Sequence, residues 1–514
     1  MSRTPFLILG VLAAAAAWPL RDAWSEGRLV GAGPDVAVTL WAMWWFAAEW
    51  HGAVWTGVSR LVNHPFGTEG TVLAPLSSAV FAALRVALGD VGASNALGLI
   101  VLTALAGATA WTARGMGLGW TATLAAGLAL LVGRYPFFAL GETSVVGITA
   151  VPVVVGLGAW VRRKEGLLLA CAGLTALEYP YLAPVLPGLA LLRAGRERSL
   201  RWVAIALTGL FLVWLGARFI GRGQLSSFSP SLHPPLVFLG LRYPVIEEVH
   251  ARARLFDLLW PGRVVWSLDV DGSVLARGRD YLGLSLILLG LVGGKRGLPW
   301  LGLATVGALL ATGSDWGWVP GPFSWLNLVA RHLARALTQP TRFLLLANLA
   351  LALAAAHGIQ RMGRWKPVGV ALILADGLIG GGLSLRLPTT ALPTASCVAS
   401  LSGREGVLVW PWDVRTSTVA SLQTRFWQMQ HGQPGATFGV GSWSLVGGQR
   451  ALDVLREQGV SEMLPVPIAR LLELHYDTVV VDRREQARAP LGLGRPKVTC
   501  EGADVYFLRA GVVP

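Results

Sequence analysis

Apolar runs of roughly 15–20 residues alternate with short polar connectors from the start of this chain to about Pro388. Runs of that length suit helices that cross a hydrocarbon layer. They predict spans near residues 6–20, 94–112, 117–133, 145–161, 166–178, 181–192, 202–219, 281–293, 298–313, 341–359 and 367–386. Two further apolar stretches, Val36–Trp50 and Thr71–Leu88, fall between the first two spans. They read as helices lying on or dipping into the outer face. Trp41, Trp44, Trp45, Phe46 and Trp50 give the first of them the aromatic density of a headgroup boundary.

The expected fold class is therefore membrane all-α, with about 11 transmembrane helices, two interfacial helices and a small C-terminal α/β outer domain. The transmembrane domain would occupy residues 1–387, with outer loops at 21–94 and 220–280, and the C-terminal domain residues 388–514. The first run, Phe6–Leu20, is short for a span, and Ala13–Ala17 also suit a signal peptide. A retained span is favoured over a cleaved one. Pro180, Pro184 and Pro187 interrupt the short pair 166–178 and 181–192. Broken helices are tolerated where protein or a wet cavity satisfies the freed backbone.

After Pro388 the pattern changes. Gly406–Trp410 and Asp477–Val481 read as buried strands, and Gly448–Gly459 and Val466–Leu474 as amphipathic helices. Lys497–Cys500 and Asp504–Leu508 read as a hairpin around Glu501-Gly502-Ala503. That length is enough for one core of its own.

Composition agrees with the pattern. The 514 residues are 54% hydrophobic and only 14% charged, well below the charged share of a soluble domain. Mean hydropathy is +0.55. The net charge of +14 would suggest nucleic-acid binding in a soluble protein. Here the bases sit in short connectors and do not interleave with exposed aromatics, so no nucleic-acid partner is expected.

Charge also sets sidedness. The connectors Ala113–Gly117, Arg162–Glu165, Arg193–Arg201, Gly294–Gly297 and Gln360–Lys366 carry the clustered Arg and Lys. Basic connectors stay in the cytoplasm. The predicted localisation is thus a membrane, multi-pass, with the C-terminal domain extracytoplasmic. Cys397 and Cys500 fall in that domain, where an oxidising compartment permits them to pair. Cys171 reads as a core residue.

The chain lacks a Walker A sequence, HExxH and GxSxG. Candidate chemistry therefore rests on acids and bases near the outer ends of spans. Asp35 follows the turn Gly31-Ala32-Gly33-Pro34; it reads either as a helix N-cap or as a general base or metal-binding carboxylate. Glu142 could cap a helix or join Asp35, and these two are the metal candidates for a divalent cation. His64 and Glu69 lie in a turn-rich loop. Glu178 and Tyr179 sit at the broken pair, as a packed charge or a binding site. Arg342, in Gln339-Pro340-Thr341-Arg342-Phe343, could hold a phosphate bidentately or snorkel to lipid headgroups.

The layout resembles the glycosyltransferase C superfamily of lipid-linked-sugar transferases, and more closely a broad set of bacterial multi-spanning membrane proteins. The likeness is carried by Gly33-Pro34-Asp35 leading into Leu40-Trp41-Ala42-Met43-Trp44-Trp45, and by Asn63-His64-Pro65-Phe66-Gly67-Thr68-Glu69-Gly70. Asp257-Leu258-Leu259-Trp260-Pro261 with Tyr281-Leu282-Gly283 extends it, as do Pro340-Thr341-Arg342-Phe343, Leu408-Val409-Trp410-Pro411-Trp412 and Gln430-His431-Gly432-Gln433-Pro434. The resemblance implies transfer of a sugar from a polyprenyl-phosphate donor to an acceptor on the outer face. Asp35 would be catalytic or metal-binding, with Glu142 assisting. The chain departs from the superfamily's paired acids, because Asp35 has no adjacent carboxylate. A non-catalytic component of envelope polysaccharide assembly and a transporter are the alternatives. Membrane lipid, a lipid-linked sugar and an acceptor are the expected partners.

Overall fold

The computed structural model describes residues 4–32, 34–49, 58–59, 61, 68–69, 74–143, 148–179, 182–221, 258–259, 265–268, 274–277, 280–313, 322, 340–392, 396–401, 404–410, 426–433, 468–483, 493–500 and 502–508. These are mostly helical, with few strands. Apolar sequence takes this form because a helix satisfies its backbone within one segment. The N-terminal helices are α1 (Thr4–Ala17), α2 (Arg21–Glu26) and α3 (Pro34–Ala48). Next come α4 (Pro75–Gly115), α5 (Trp120–Val132), α6 (Tyr135–Thr143) and α7 (Val151–Val161). They are followed by α8 (Glu165–Glu178), α9 (Val185–Glu197) and α10 (Leu200–Gly221). The last of the bundle are α11 (Leu284–Val292), α12 (Leu298–Ala311), α13 (Leu344–Arg361) and α14 (Lys366–Ile379).

Among the described residues, three stretches are long and apolar enough to cross a membrane: Thr4–Glu26, Pro75–Gly115 and Thr341–Arg361. A fourth is made if α5 and the start of α6, bent by 47°, count as one span. The apolar helices at 36–48, 151–161, 200–215 and 298–311 are only 10–17 residues long.

Two expectations for the early helices change. Val36–Trp50 was expected at a surface, but in α3 Val36, Leu40, Trp41, Met43, Trp44 and Phe46 are all buried. A helix lying on an interface would leave one face open. Here α3 packs against α4 and α6, and Trp41 Nε1 donates to Gln428 Oε1 at 2.9 Å. The described part of the stretch Thr71–Leu88, from Pro75 on, and the span at 94–112 join in one helix, α4, which breaks at Gly89. Its φ of 65° and ψ of −179° form a conformation open essentially to glycine alone. Arg85 and Asp90 form an ion pair across the break. In the arm before it, Leu76, Val86 and Leu88 are exposed while Ser77, Ser78 and Phe81 are buried.

All five basic connectors gather at one end of the bundle. Arg162 packs on Gly115 and donates to the carbonyl of Trp111. Gln360 accepts from the Gly119 N–H at 3.1 Å. Arg361 donates to the Val292 carbonyl at 3.1 Å, beside Gly294. Arg163 reaches Glu197, and Arg201 reaches Glu165. About one span further along each helix, Asn348 packs on Gly133 and Thr149 Oγ1 donates to the Glu178 carbonyl at 2.6 Å. Those contacts mark the opposite end.

A four-stranded sheet follows the last helix of the bundle. It is built from β7 (Val407–Trp410), β8 (Thr478–Asp482), β9 (Val498–Cys500) and β10 (Ala503–Phe507), in the order β7-β8-β10-β9. β7 and β8 are parallel, and the other pairs antiparallel. The expected strands at 406–410 and 477–481 and the terminal hairpin are these elements. Helix 466–474 is present as Ile468–Glu473, and Gly448–Gly459 lies outside the described residues. Cys397 and Cys500 are joined by a disulfide. Within the expected loop 220–280, the described parts include an antiparallel pair, β4 (Val265–Leu268) with β5 (Val274–Arg277).

The helical segment 426–431 joins sheet to bundle. Phe426 and Met429 pack in the bundle core, while Trp427 packs in the sheet core. Gln428, between them, takes the Trp41 N–H and gives its own to the Leu61 carbonyl at 2.5 Å. His431 ends the segment. Its Nδ1 accepts the Gln433 N–H at 2.9 Å, so the ring must stay neutral at that nitrogen. Burial pushes its pKa down to about 3. An unfolded histidine takes its proton near 6.5, so the unfolded segment binds more protons below that pH. The contribution of His431 is therefore complete above about pH 6.5 and is lost as pH falls toward 3. Hydrogen-exchange protection at 426–433, corrected for intrinsic rates, should fall by up to about tenfold per pH unit over that window. A His431→Gln variant should lose that slope.

Candidate functional site

The segment carrying Asp35 is wedged among three others. β1 (Leu29–Val30) pairs antiparallel with β6 (Thr389–Thr390), which tie the N-terminal region to the chain that leaves α14. The Gly31 N–H donates to the Pro388 carbonyl at 2.7 Å, and Thr390 Oγ1 donates to the Gly31 carbonyl at 2.7 Å. Asn95 of α4 closes the other side, accepting from the Val30 N–H at 2.9 Å and donating to the Arg28 carbonyl at 2.8 Å. Gly31 has φ of 101°, and a side chain there would meet Val36 Cγ2 at 2.8 Å and the Gly141 carbonyl oxygen at 2.9 Å. Only glycine fits.

This wedge brings the segment before Asp35 against the segment before Glu142. The Ala32 N–H donates to the Gly141 carbonyl at 3.0 Å. Asp35 stands in the first turn of α3, three residues after Ala32, and Glu142 directly follows Gly141. The two segments, whose acids lie 107 residues apart in sequence, thus touch at the end opposite the basic connectors. Their side chains lie outside the described residues. So does that of Glu69, whose backbone in β3 (Thr68–Glu69) pairs with β2 (Val58–Ser59). His64 lies wholly outside them.

Glu178 has a task of its own. α4 begins after Ala74, which is left-handed and offers no side-chain cap. The carboxylate of Glu178 supplies the missing acceptors. Oε1 takes the Leu76 N–H at 2.5 Å; Oε2 takes the Ser77 N–H at 3.3 Å and the Ser77 hydroxyl at 2.7 Å. Negative charge at a helix N-terminus also meets the favourable end of its dipole. Glu178 is thus a buried cap, the packing alternative for this residue. Tyr179, fully buried, follows it. The guanidinium of Arg342 lies 6.0 Å from the centre of the Tyr179 ring. Arg342 belongs to the helical turn Pro340–Phe343 that leads into α13, and is half-buried. Glu178, Tyr179 and Arg342 therefore cluster, at the same end as Asp35 and Glu142.

A second polar cluster did not emerge from the sequence. Arg134, at the break between α5 and α6, donates through Nε to the Gly380 carbonyl at 2.6 Å and lies over the Tyr281 ring. The Tyr281 hydroxyl donates to Asp376 Oδ1 at 2.6 Å, and the Ser285 hydroxyl donates to Oδ2 at 2.6 Å. The signal available was Asp376 itself, one carboxylate in an apolar run, where a charge demands a partner.

Among the described residues there is no group of three or more His, Cys, Asp or Glu side chains placed to hold a metal ion. No protein-family model matches the chain, and no curated protein matches it.

Glu178→Ala should leave two backbone donors of α4 without acceptors and lower stability by about 1–3 kcal/mol. Glu178→Gln keeps an acceptor oxygen and should lose less. Thermal unfolding of the purified protein in detergent compares the two.

Proposed function

We propose that the chain is an integral-membrane transferase that moves a sugar from a polyprenyl-phosphate donor to an acceptor at the outer face. The reading takes the eleven apolar segments as spans, the shorter ones as broken or tilted crossings, and residues 388–514 as an extracytoplasmic domain. The observation that carries it is the hydrogen bond from Ala32 to Gly141, which makes neighbours of the segments bearing Asp35 and Glu142.

Sidedness follows from the gathering of basic connectors at one end, which belongs in the cytosol by the positive-inside rule. The Cys397–Cys500 disulfide supports the same orientation, since such bonds persist outside the reducing cytosol. The two acids then face outward. Asp35 takes the proton of the acceptor hydroxyl as its oxygen attacks the anomeric carbon. The bond from that carbon to the phosphate oxygen breaks, and the polyprenyl phosphate leaves with the electron pair. Arg342 stabilises the charge on that phosphate. Glu142 assists Asp35, and a divalent cation held by the two acids would further neutralise the leaving group. The Tyr179 ring lies beside the Arg342 guanidinium, and Glu178 precedes Tyr179 in the chain. His64 and Glu69 follow Leu61 in the sequence, and Gln428 ties Leu61 to α3. The sheet would cover the site or select the acceptor.

A second reading, a non-catalytic component of envelope polysaccharide assembly, is favoured by the commitment of the Glu178 carboxylate to α4.

Asp35→Asn should reduce sugar transfer by about 10²–10⁴-fold in protein that still inserts and folds, measured with a labelled lipid-linked donor. Full retained activity removes the assignment. For sidedness, Cys397 and Cys500 should resist alkylation in intact cells until a reductant is added; immediate labelling only after the cytosol is opened would invert the topology.

A further inference from the structure

The basic end of the bundle holds a built cluster that the transfer reaction does not use. Residues 162–165 and 193–201 carry seven basic side chains against two acidic ones. Glu197 is the hub. Its Oε1 lies 3.1 Å from Arg163 Nη2 and 3.4 Å from Arg193 Nε. Its Oε2 accepts the Trp202 indole N–H at 3.1 Å. The Arg193 guanidinium lies 4.5 Å from the Trp160 ring centre and 4.9 Å from that of Trp202. The other acid, Glu165, is held by Arg201 at 2.6 Å. Both carboxylates are taken, and positive charge remains in surplus. Among the described residues, Arg196 and Arg198 form no ion pair, and both are exposed.

Two further observations point outward. Arg163 and Arg198 adopt left-handed backbone, with φ of 58° and 50°. That conformation costs a non-glycine residue about 1–2 kcal/mol, yet arginine stands at both turns. Beside them Leu192 and Leu200 are 70% and 85% exposed. Arginine next to exposed leucine and half-buried indole is the pairing found where headgroups meet acyl chains.

We propose that this end of α7, α8, α9 and α10 binds anionic phospholipid headgroups of the leaflet that it faces. Arg196 and Arg198 take the phosphodiester, whose oxygens match the guanidinium fork. Arg193, fixed between Trp160 and Trp202, sets the depth of the headgroup, and Leu192 and Leu200 meet the acyl chains. A soluble polyanion would make no use of those leucines. The inference rests on the membrane reading and not on the transferase reading, so its failure leaves sugar transfer untouched.

The test uses the full chain in neutral detergent, with phosphatidylglycerol or phosphatidylcholine added. Thermal stability and retained lipid, counted by native mass spectrometry, are the readouts. The wild type should retain phosphatidylglycerol preferentially, and Arg196→Gln with Arg198→Asn should reduce that preference by at least about tenfold. Asparagine suits the left-handed backbone at 198. Stability in phosphatidylcholine should be unchanged. An undiminished preference in the double variant overturns the proposal. So does equal stabilisation by inorganic phosphate, which would mark a simple anion site. Should the variant fail to fold, high salt on the wild type decides: loss of the preference supports the surface, and its persistence overturns it.

Discussion

Every backbone N–H and C=O in an apolar layer needs a partner inside the protein, and this constraint organises the chain. Leaving one unmade costs several kcal/mol in hydrocarbon. The helices here are often short and broken, so many such groups are freed. Among the described residues, several polar side chains hold one. Glu178 holds the N–H groups that open α4. Arg134 holds Gly380, Asp376 holds the N–H of Ser285, and Asn95 holds Val30 and Arg28. At the other end Gln360, Arg361 and Arg162 do the same for Gly119, Val292 and Trp111.

Charge is sorted by the same rule. A guanidinium at the end of a helix can give its N–H groups to spare carbonyls, and a carboxylate at the start of one can take its spare N–H groups. Arginines thus collect where α7, α9 and α13 end, while Glu178 serves where α4 begins. The arginines also lean on tryptophan: Arg162 on Trp111, Arg193 on Trp160, and Arg114 on Trp120. Stacking shields the charge without neutralising it. The cluster around Glu197 therefore remains positive after all its internal contacts are made.

At the opposite end, the candidate site is assembled from distant segments. A glycine at 31 lets the N-terminal region touch the end of α6, and β6 brings the chain after α14 to the same place. The segment 426–431 then locks the sheet onto α3 through Gln428. The segments that carry Asp35 and Glu142 touch through these backbone contacts and through no local motif.

The sequence alone determined the helical character, the change of architecture near Pro388, and the strands around Leu408, Val479 and Val505. These follow from hydrophobic period and run length, which are local. It also singled out the five basic connectors, because clustered charge in short loops is visible without a structure. Tertiary structure decided what periodicity cannot encode. It buried α3, whose tryptophans suited a membrane surface equally well, because α4, α6 and Gln428 cover it. It made Glu178 a cap, since the helix it serves starts about a hundred residues earlier in the chain. It joined Arg134 to Tyr281 and Asp376, three residues from three separate runs. Long-range partners are chosen by packing, and one sequence read locally holds no record of which end meets which.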